Sequence, residues 1–321
     1  MRMGWGRPVT AAALALALLA GCETLPPAPP GIKPQARPDR PAPAAPAPDP
    51  GPSDESRALA QYYARVQADL LTRGLLRTDG GGPDTPFTDT TLVRNFQAIA
   101  LEEEYARGGG FRRSQGGDGR IKKWTQPVRV SAEFGPSVVD SRRAKDQSML
   151  ASFVARLNRV TGHPITMSTA NPNFHVLFMS EDDKDLIKPR IRELVPDIDA
   201  TSLAIFDNLP RAIHCLVIAF SEEPGGYNYG RAIALIRAEH PELLTRSCIH
   251  EEVAQGLGVG NDSPQARPSI FNDDDEFALL TTHDEMLLRI LYNPRLRPGM
   301  TAEEAIPIVR DLAAQMVGGP S

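Results

Sequence analysis

The chain has 321 residues, with 35 basic and 40 acidic side chains and a formal net charge of −5. That length allows one or two globular domains, and an apolar fraction of 41% with 23% charged residues excludes a wholly disordered chain. The mildly acidic balance excludes a protein that works through a basic face on nucleic acid.

Residues 1–22 read as an export signal. Arg2 and Arg7 give a positive start, and the Ala- and Leu-rich stretch 9–20 is uncharged. It is shorter than the roughly 20 apolar residues of a permanent membrane span. The stretch ends in Leu19-Ala20-Gly21-Cys22, which resembles the lipobox of bacterial lipoproteins. The resemblance implies cleavage before Cys22, acylation of its thiol, and anchoring in a lipid bilayer by two or more acyl chains. Glu23 follows rather than Asp, which implies sorting to the outer membrane, facing the periplasm. A simple secretory peptide with a chance cysteine is the alternative.

Residues 23–53 hold 12 of the 30 prolines. Such a composition builds no core and predicts a disordered, extended tether of at most about 95 Å. Helical spacing of Leu59, Tyr62, Tyr63, Val66, Leu70 and Leu71 predicts a helix over 54–73. A second is expected over 89–105 through Leu92, Val93, Phe96, Ile99 and Ala100. The runs Gly80-Gly81-Gly82 and Gly108-Gly109-Gly110 lack the strand before and the Lys-Ser/Thr after that a phosphate cradle needs, so they read as connectors. Residues 54–110 form a helical extension in this reading, and 111–321 the α+β domain.

From Trp124 the pattern changes. Pro127-Val128-Arg129-Val130 reads as a first strand, and Asp140 or Ser141 as the cap of a helix buried through Leu150, Phe153, Val154, Leu157 and Val160. Short strands are expected at 165–168 and 174–179, a buried strand at 212–220, and another at 231–237. A helix should begin near Thr245 and stop by Gly258. Two more, 282–292 and 301–317, carry the capping-box pairs Thr282 with Glu285 and Thr301 with Glu304. Cys215 and Cys248 are an even pair in an oxidising compartment; they read as a disulfide, with two buried thiols as the alternative, and neither has a second Cys or His at the spacing of a zinc site.

The chemistry concentrates in Cys248-Ile249-His250-Glu251-Glu252-Val253-Ala254-Gln255-Gly256-Leu257-Gly258-Val259-Gly260-Asn261-Asp262. At about 100° per residue, Val253 and Leu257 lie on the side of Ile249, while Glu251, Gln255 and Gly258 gather opposite. One face therefore offers a carboxylate and a carboxamide at i and i+4; a solvated outer face is the plainer reading. Gly256 and Gly258 each cost roughly 1 kcal/mol inside a helix, which points to close backbone approach or a helix end. His250 lies about 100° away from that face and has Ala254 at i+4, so it reads as a packing histidine. His163, His175, His214, His240 and His283 show no paired spacing. The run Asn272-Asp273-Asp274-Asp275-Glu276 lacks the spacing of a calcium loop and reads as solvated.

The stretch 250–262, with Trp124, Pro127-Val128-Arg129-Val130, Ser269-Ile270-Phe271-Asn272-Asp273 and Leu291-Tyr292-Asn293-Pro294-Arg295, resembles a bacterial family, domain of unknown function 2927, over roughly 90–315. That family implies no activity. A remoter resemblance is to the metzincin metallopeptidases, whose helix reads His-Glu-x-x-His-x-x-Gly-x-x-His. It implies a mixed twisted sheet with a long backing helix and a central active-site helix. On that frame Glu251 takes the first ligand position, Glu252 the general base, Gln255 the second ligand, Gly258 the turn glycine and Asn261 the third ligand, with Asp262 beside it. Phe271 falls near the methionine turn. All three imidazoles are replaced, and zinc prefers nitrogen and thiolate ligands. The leading expectation is thus a zinc-less fold that binds an envelope protein, peptide or peptidoglycan, with no assigned cofactor. The alternative is a hydrolase using Glu252 as general base, with oxygen ligands around water or a hard divalent cation.

Overall fold

The computed structural model describes residues 51–102, 119–207, 209–272 and 274–317. The export signal, Cys22, nearly all of the proline-rich tether and the end of the 89–105 helix lie outside the described residues. Asp49–Ser321 forms one compact unit. Among the described residues no helix is long and apolar enough to cross a membrane.

Helix α1 (Asp54–Thr72) starts where expected, because the Ser53 hydroxyl accepts from the Ser56 N–H. This satisfies one of the donors that every helix start leaves open. Helix α2 (Asp89–Phe96) is capped by Thr88 and passes into a π-helical turn, Gln97–Leu101. The sequence alone predicts an unbroken helix here. Two carbonyls of this stretch are claimed from outside: Asn261 donates its backbone N–H to Ile99 O at 3.1 Å and its Nδ2 to Ala98 O at 2.7 Å.

Strand β1 (Val128–Phe134) is followed by the long helix α3 (Asp140–Thr161). Helix α3 begins at Asp140 without a side-chain cap, Val139 holding the cap position, so neither Asp140 nor Ser141 caps it. It ends on Gly162 in the left-handed conformation. Strands β2 (Ile165–Met167) and β3 (Phe174–Met179) follow. A 3₁₀ turn, Glu181–Asp183, then leads into helices α4 (Lys184–Leu194) and α5 (Ala200–Ala204). No expectation covered these two helices: α4 contains Pro189 and is rich in charge, and its apolar face shows only in the packing of Ile187, Ile191 and Leu194. Strands β4 (Cys215–Ser221) and β5 (Tyr229–Arg237) complete the sheet. Helix α6 (Glu242–Gln255) starts three residues before Thr245, behind Pro241. Helices α7 (Thr282–Leu291) and α8 (Ala302–Val317) close the chain.

The fold is α+β, with strand order β2-β1-β3-β5-β4. The first four strands in that order run parallel, and β4 is antiparallel to β5, with Cys215 opposite Ile236. Side chains alternate between faces along a strand. Val128, Val130, Phe174, Val176, Ala232 and Ala234 therefore meet α3, α6 and α7 in the main core. Leu177, Met179, Ile233 and Leu235 face α4 and α5. Strand β4 was expected to be buried; it is instead an edge strand, half-buried along its whole length. Both of its faces are covered, Cys215, Val217 and Ala219 by the main core and Leu216, Ile218 and Phe220 by the second cluster. That two-sided cover gives the continuous apolar run of a central strand.

The capping box of α7 also sits one residue earlier than expected. Thr281 Oγ1 accepts from Asp284 N–H at 3.1 Å, and Asp284 Oδ2 accepts from Thr281 N–H at 2.9 Å. Asp284 is fully buried and also receives Ser269 Oγ and Ile270 N–H, so the register is fixed by the neighbouring loop. At α8, Thr301 and Glu304 form the expected reciprocal pair.

Candidate functional site

Helix α6 lies under the sheet with Ile249 and Val253 fully buried, and Leu257 just beyond its end equally so. Its C-terminus is clamped rather than frayed. A Cβ on Gly256 would stand 2.5 Å from the Phe174 ring, so only glycine lets the helix close on β3. Gly258 has φ +122°, and a Cβ there would meet Lys122 O at 2.2 Å. The carbonyls left open at the helix end accept from buried side chains: Trp124 Nε1 reaches Gly256 O and Tyr292 Oη reaches Leu257 O, each at 2.8 Å. Both glycines thus do what their helix cost implied.

His250 stacks on Phe153 with ring centroids 3.9 Å apart, and its Nδ1 accepts from Leu280 N–H at 3.1 Å. Burial, helped by Arg156 and Arg246, pushes its pKa down to about 3. It is a packing group, as the helical spacing implied. Phe271 is fully buried in the main core.

Of the residues on the metallopeptidase frame, Gln255 and Asn261 each bond to a partner nearby. Gln255 is half-buried and donates Nε2 to Asp262 Oδ1 at 2.9 Å. Asn261 is 7% exposed and turns its amide to Ala98 O on the π-helical turn. Its two bonds to that turn, to Ile99 O and Ala98 O, hold the end of α2 against the loop after α6. Glu251 and Glu252 lie beside the disulfide between Cys215 and Cys248. Their carboxylate oxygens and Cys215 Sγ all fall within 4.8 Å of one another. Glu251 is half-buried and Glu252 is 4% exposed.

The acidic loop is also internally engaged. Glu276 pairs with Arg77 at 3.2 Å and with Arg267, while Asp274 Oδ1 accepts from Glu276 N–H. Asp273 lies outside the described residues.

Two features escaped the sequence reading. One is β4, whose outer edge pairs with no strand among the described residues and which the disulfide ties to α6. The other is His240, 1% exposed, whose Nδ1 lies 3.7 Å from Cys248 Sγ. It stands on the turn before α6, outside the helix that carries Cys248, so helical spacing does not report their approach. Its pKa is held well below the usual imidazole range by burial and then by His214, Arg237 and Arg142.

Residues that carry the family resemblance are therefore mostly architectural: Trp124 and Tyr292 close α6, His250 and Asn261 anchor loops, and Ser269 fixes Asp284. A comparison with curated proteins and with solved structures finds no match. The family described as protein of unknown function (DUF2927) matches residues 89–311, from the start of α2 into α8, and the chain belongs to that family.

Proposed function

We propose that this protein is a tethered binding module of the bacterial cell envelope, anchored in the outer membrane through acylated Cys22, and that it takes up an extended peptide along β4. The reading rests on one juxtaposition: a seven-residue edge strand, its outer edge pairing with no strand among the described residues, starts at Cys215, whose sulfur lies near the Glu251 and Glu252 carboxylates. An open edge offers backbone donors and acceptors to an added strand. Glu222 and Glu223, exposed beyond the opposite end of the strand, place negative charge there too, so both ends favour a peptide with basic side chains. The lipobox-like sequence and the proline-rich tether support the address, with the tether holding the body off the lipid surface.

The hydrolase alternative has less support. A general base must come within hydrogen-bond reach of the proton it takes, and Glu252 is almost wholly enclosed. Zinc ligation by the metallopeptidase frame would rest on one carboxylate and two neutral amides, a weak set for that ion.

The test uses fluorescently labelled extended peptides in anisotropy titrations with the full chain in detergent. Lysine-containing peptides should bind, alternate backbone N-methylation should abolish binding, and Glu251→Gln should weaken it several-fold. Equal binding of the N-methylated peptides would discard strand addition. Peptide or peptidoglycan cleavage that Glu252→Gln removes would replace the binding reading with the hydrolase.

A further inference from the structure

The disulfide is surrounded by groups that a structural cross-link does not need. On the Cys215 side lie the Glu251 and Glu252 carboxylates, with donor atoms mutually within 4.8 Å. On the Cys248 side lies His240, 1% exposed, with Nδ1 3.7 Å from the sulfur. The other ring nitrogen of His240, Nε2, is buried and meets no hydrogen-bond partner among the described residues. The imidazole is therefore fixed by its packing against Tyr63, ring centroids 4.4 Å apart, and by its approach to Cys248.

Sulfur in a disulfide is a poor metal ligand, whereas a thiolate is among the best for zinc. We propose that reduction of Cys215–Cys248 converts this cluster into a site for a thiophilic divalent cation, with Cys215 and Cys248 as thiolate ligands, His240 Nδ1 as the nitrogen ligand and the Glu251 or Glu252 carboxylate as the oxygen ligand. A dithiol reductant supplies the two electrons and two protons that make two thiols, and itself closes to a disulfide. The cation then displaces both thiol protons. Tetrahedral zinc with bonds of about 2.0–2.3 Å sets its ligands roughly 3.5 Å apart; His240 Nδ1 is already 3.7 Å from Cys248 Sγ, the two sulfurs part once reduced, and the carboxylate closes on Cys215 from within 4.8 Å. Cys215 and Glu251 are only half-buried, whereas Cys248 and His240 are enclosed, so the reductant and the cation would enter from the Cys215 side. Strand β4 and helix α6, tied by sulfur in the oxidised state, are tied by metal in the reduced one. The site is independent of the peptide-binding reading: either can fail while the other holds.

The experiment uses the full chain in detergent with Cys22→Ser, so that Cys215 and Cys248 are the only cysteines. Oxidised protein and protein reduced with a phosphine are each equilibrated with zinc alone, desalted and analysed for metal, and a cobalt(II) titration is followed by absorption. The reduced protein should retain about one zinc per chain and the oxidised protein none. Cobalt should give thiolate charge-transfer absorption in the near ultraviolet with tetrahedral d–d bands. His240→Ala, and separately Glu251→Gln combined with Glu252→Gln, should weaken zinc at least tenfold. Reduced protein that holds no zinc, or zinc binding unchanged in both variants, would overturn the proposal. Far-UV circular dichroism covers loss of structure: a reduced chain that unfolds and is not refolded by zinc also overturns it.

Discussion

Replacing Gly258 by alanine probes whether α6 must end where it does. The residue sits at φ +122°, where a side chain costs about 1–3 kcal/mol in backbone strain. The new Cβ would also lie 2.2 Å from Lys122 O and 3.1 Å from Leu291 Cδ2. The carbonyl cannot withdraw freely, because neighbouring Lys123 donates its backbone N–H to Tyr227 O and its Nζ to Leu291 O. Overpacking of this kind adds about 1–3 kcal/mol. The expected loss is therefore about 4 kcal/mol, a large share of the roughly 5–15 kcal/mol that holds a domain folded. Melting should fall by about 8–16 °C, at roughly 2–4 °C per kcal/mol for a domain of this size. Gly260→Ala is the control: its Cβ would meet nothing closer than Gln255 O at 3.7 Å, and its change should stay within about 1 kcal/mol. Urea unfolding followed by circular dichroism and Trp124 fluorescence reads both. A Gly258→Ala chain as stable as the Gly260→Ala chain would refute the clamped helix end.

Asn261→Ala strands Ala98 O on the π-helical turn and should cost about 1–2 kcal/mol in the same urea assay; a neutral result would return Asn261 to the site. Replacing both Cys215 and Cys248 by serine opens a loop of 33 residues and should cost about 3–4 kcal/mol by chain entropy, read as a lower urea midpoint at constant slope. His250 has a folded-state pKa pushed down to about 3 by burial, then by Arg156 and Arg246, against about 6.5 in an unfolded chain. Between those values the unfolded state binds the extra proton, so the stability is complete above about pH 6.5 and drains away toward pH 3. Urea midpoints from pH 7.5 to 4.5 should fall, and His250→Gln should flatten the slope.

Periodicity was enough to read α1, α3 and most strands, because a half-buried helix or strand writes its burial into the spacing of apolar residues. Leu150, Phe153, Val154 and Leu157 are an example. The glycines of α6 were legible for a similar reason: a helix that tolerates Gly256 and Gly258 must be pressed against something, here Phe174 and Lys122 O. Helix α4 was not legible, since its charged residues and Pro189 mask a three-residue apolar face.

The sequence by itself determined the alternating elements and the packing role of His250, since each rests on residue types and local spacing, and it made the Cys215–Cys248 bond the leading of two readings, which the structure then decided. Only the tertiary structure decided that β4 is an edge, that Asn261 serves the π-helical turn, and that Glu251, Glu252 and His240 surround the disulfide. These are contacts between segments far apart in the chain. Sequence spacing carries no record of them, because the partner of a polar side chain is chosen by the packing of the apolar ones.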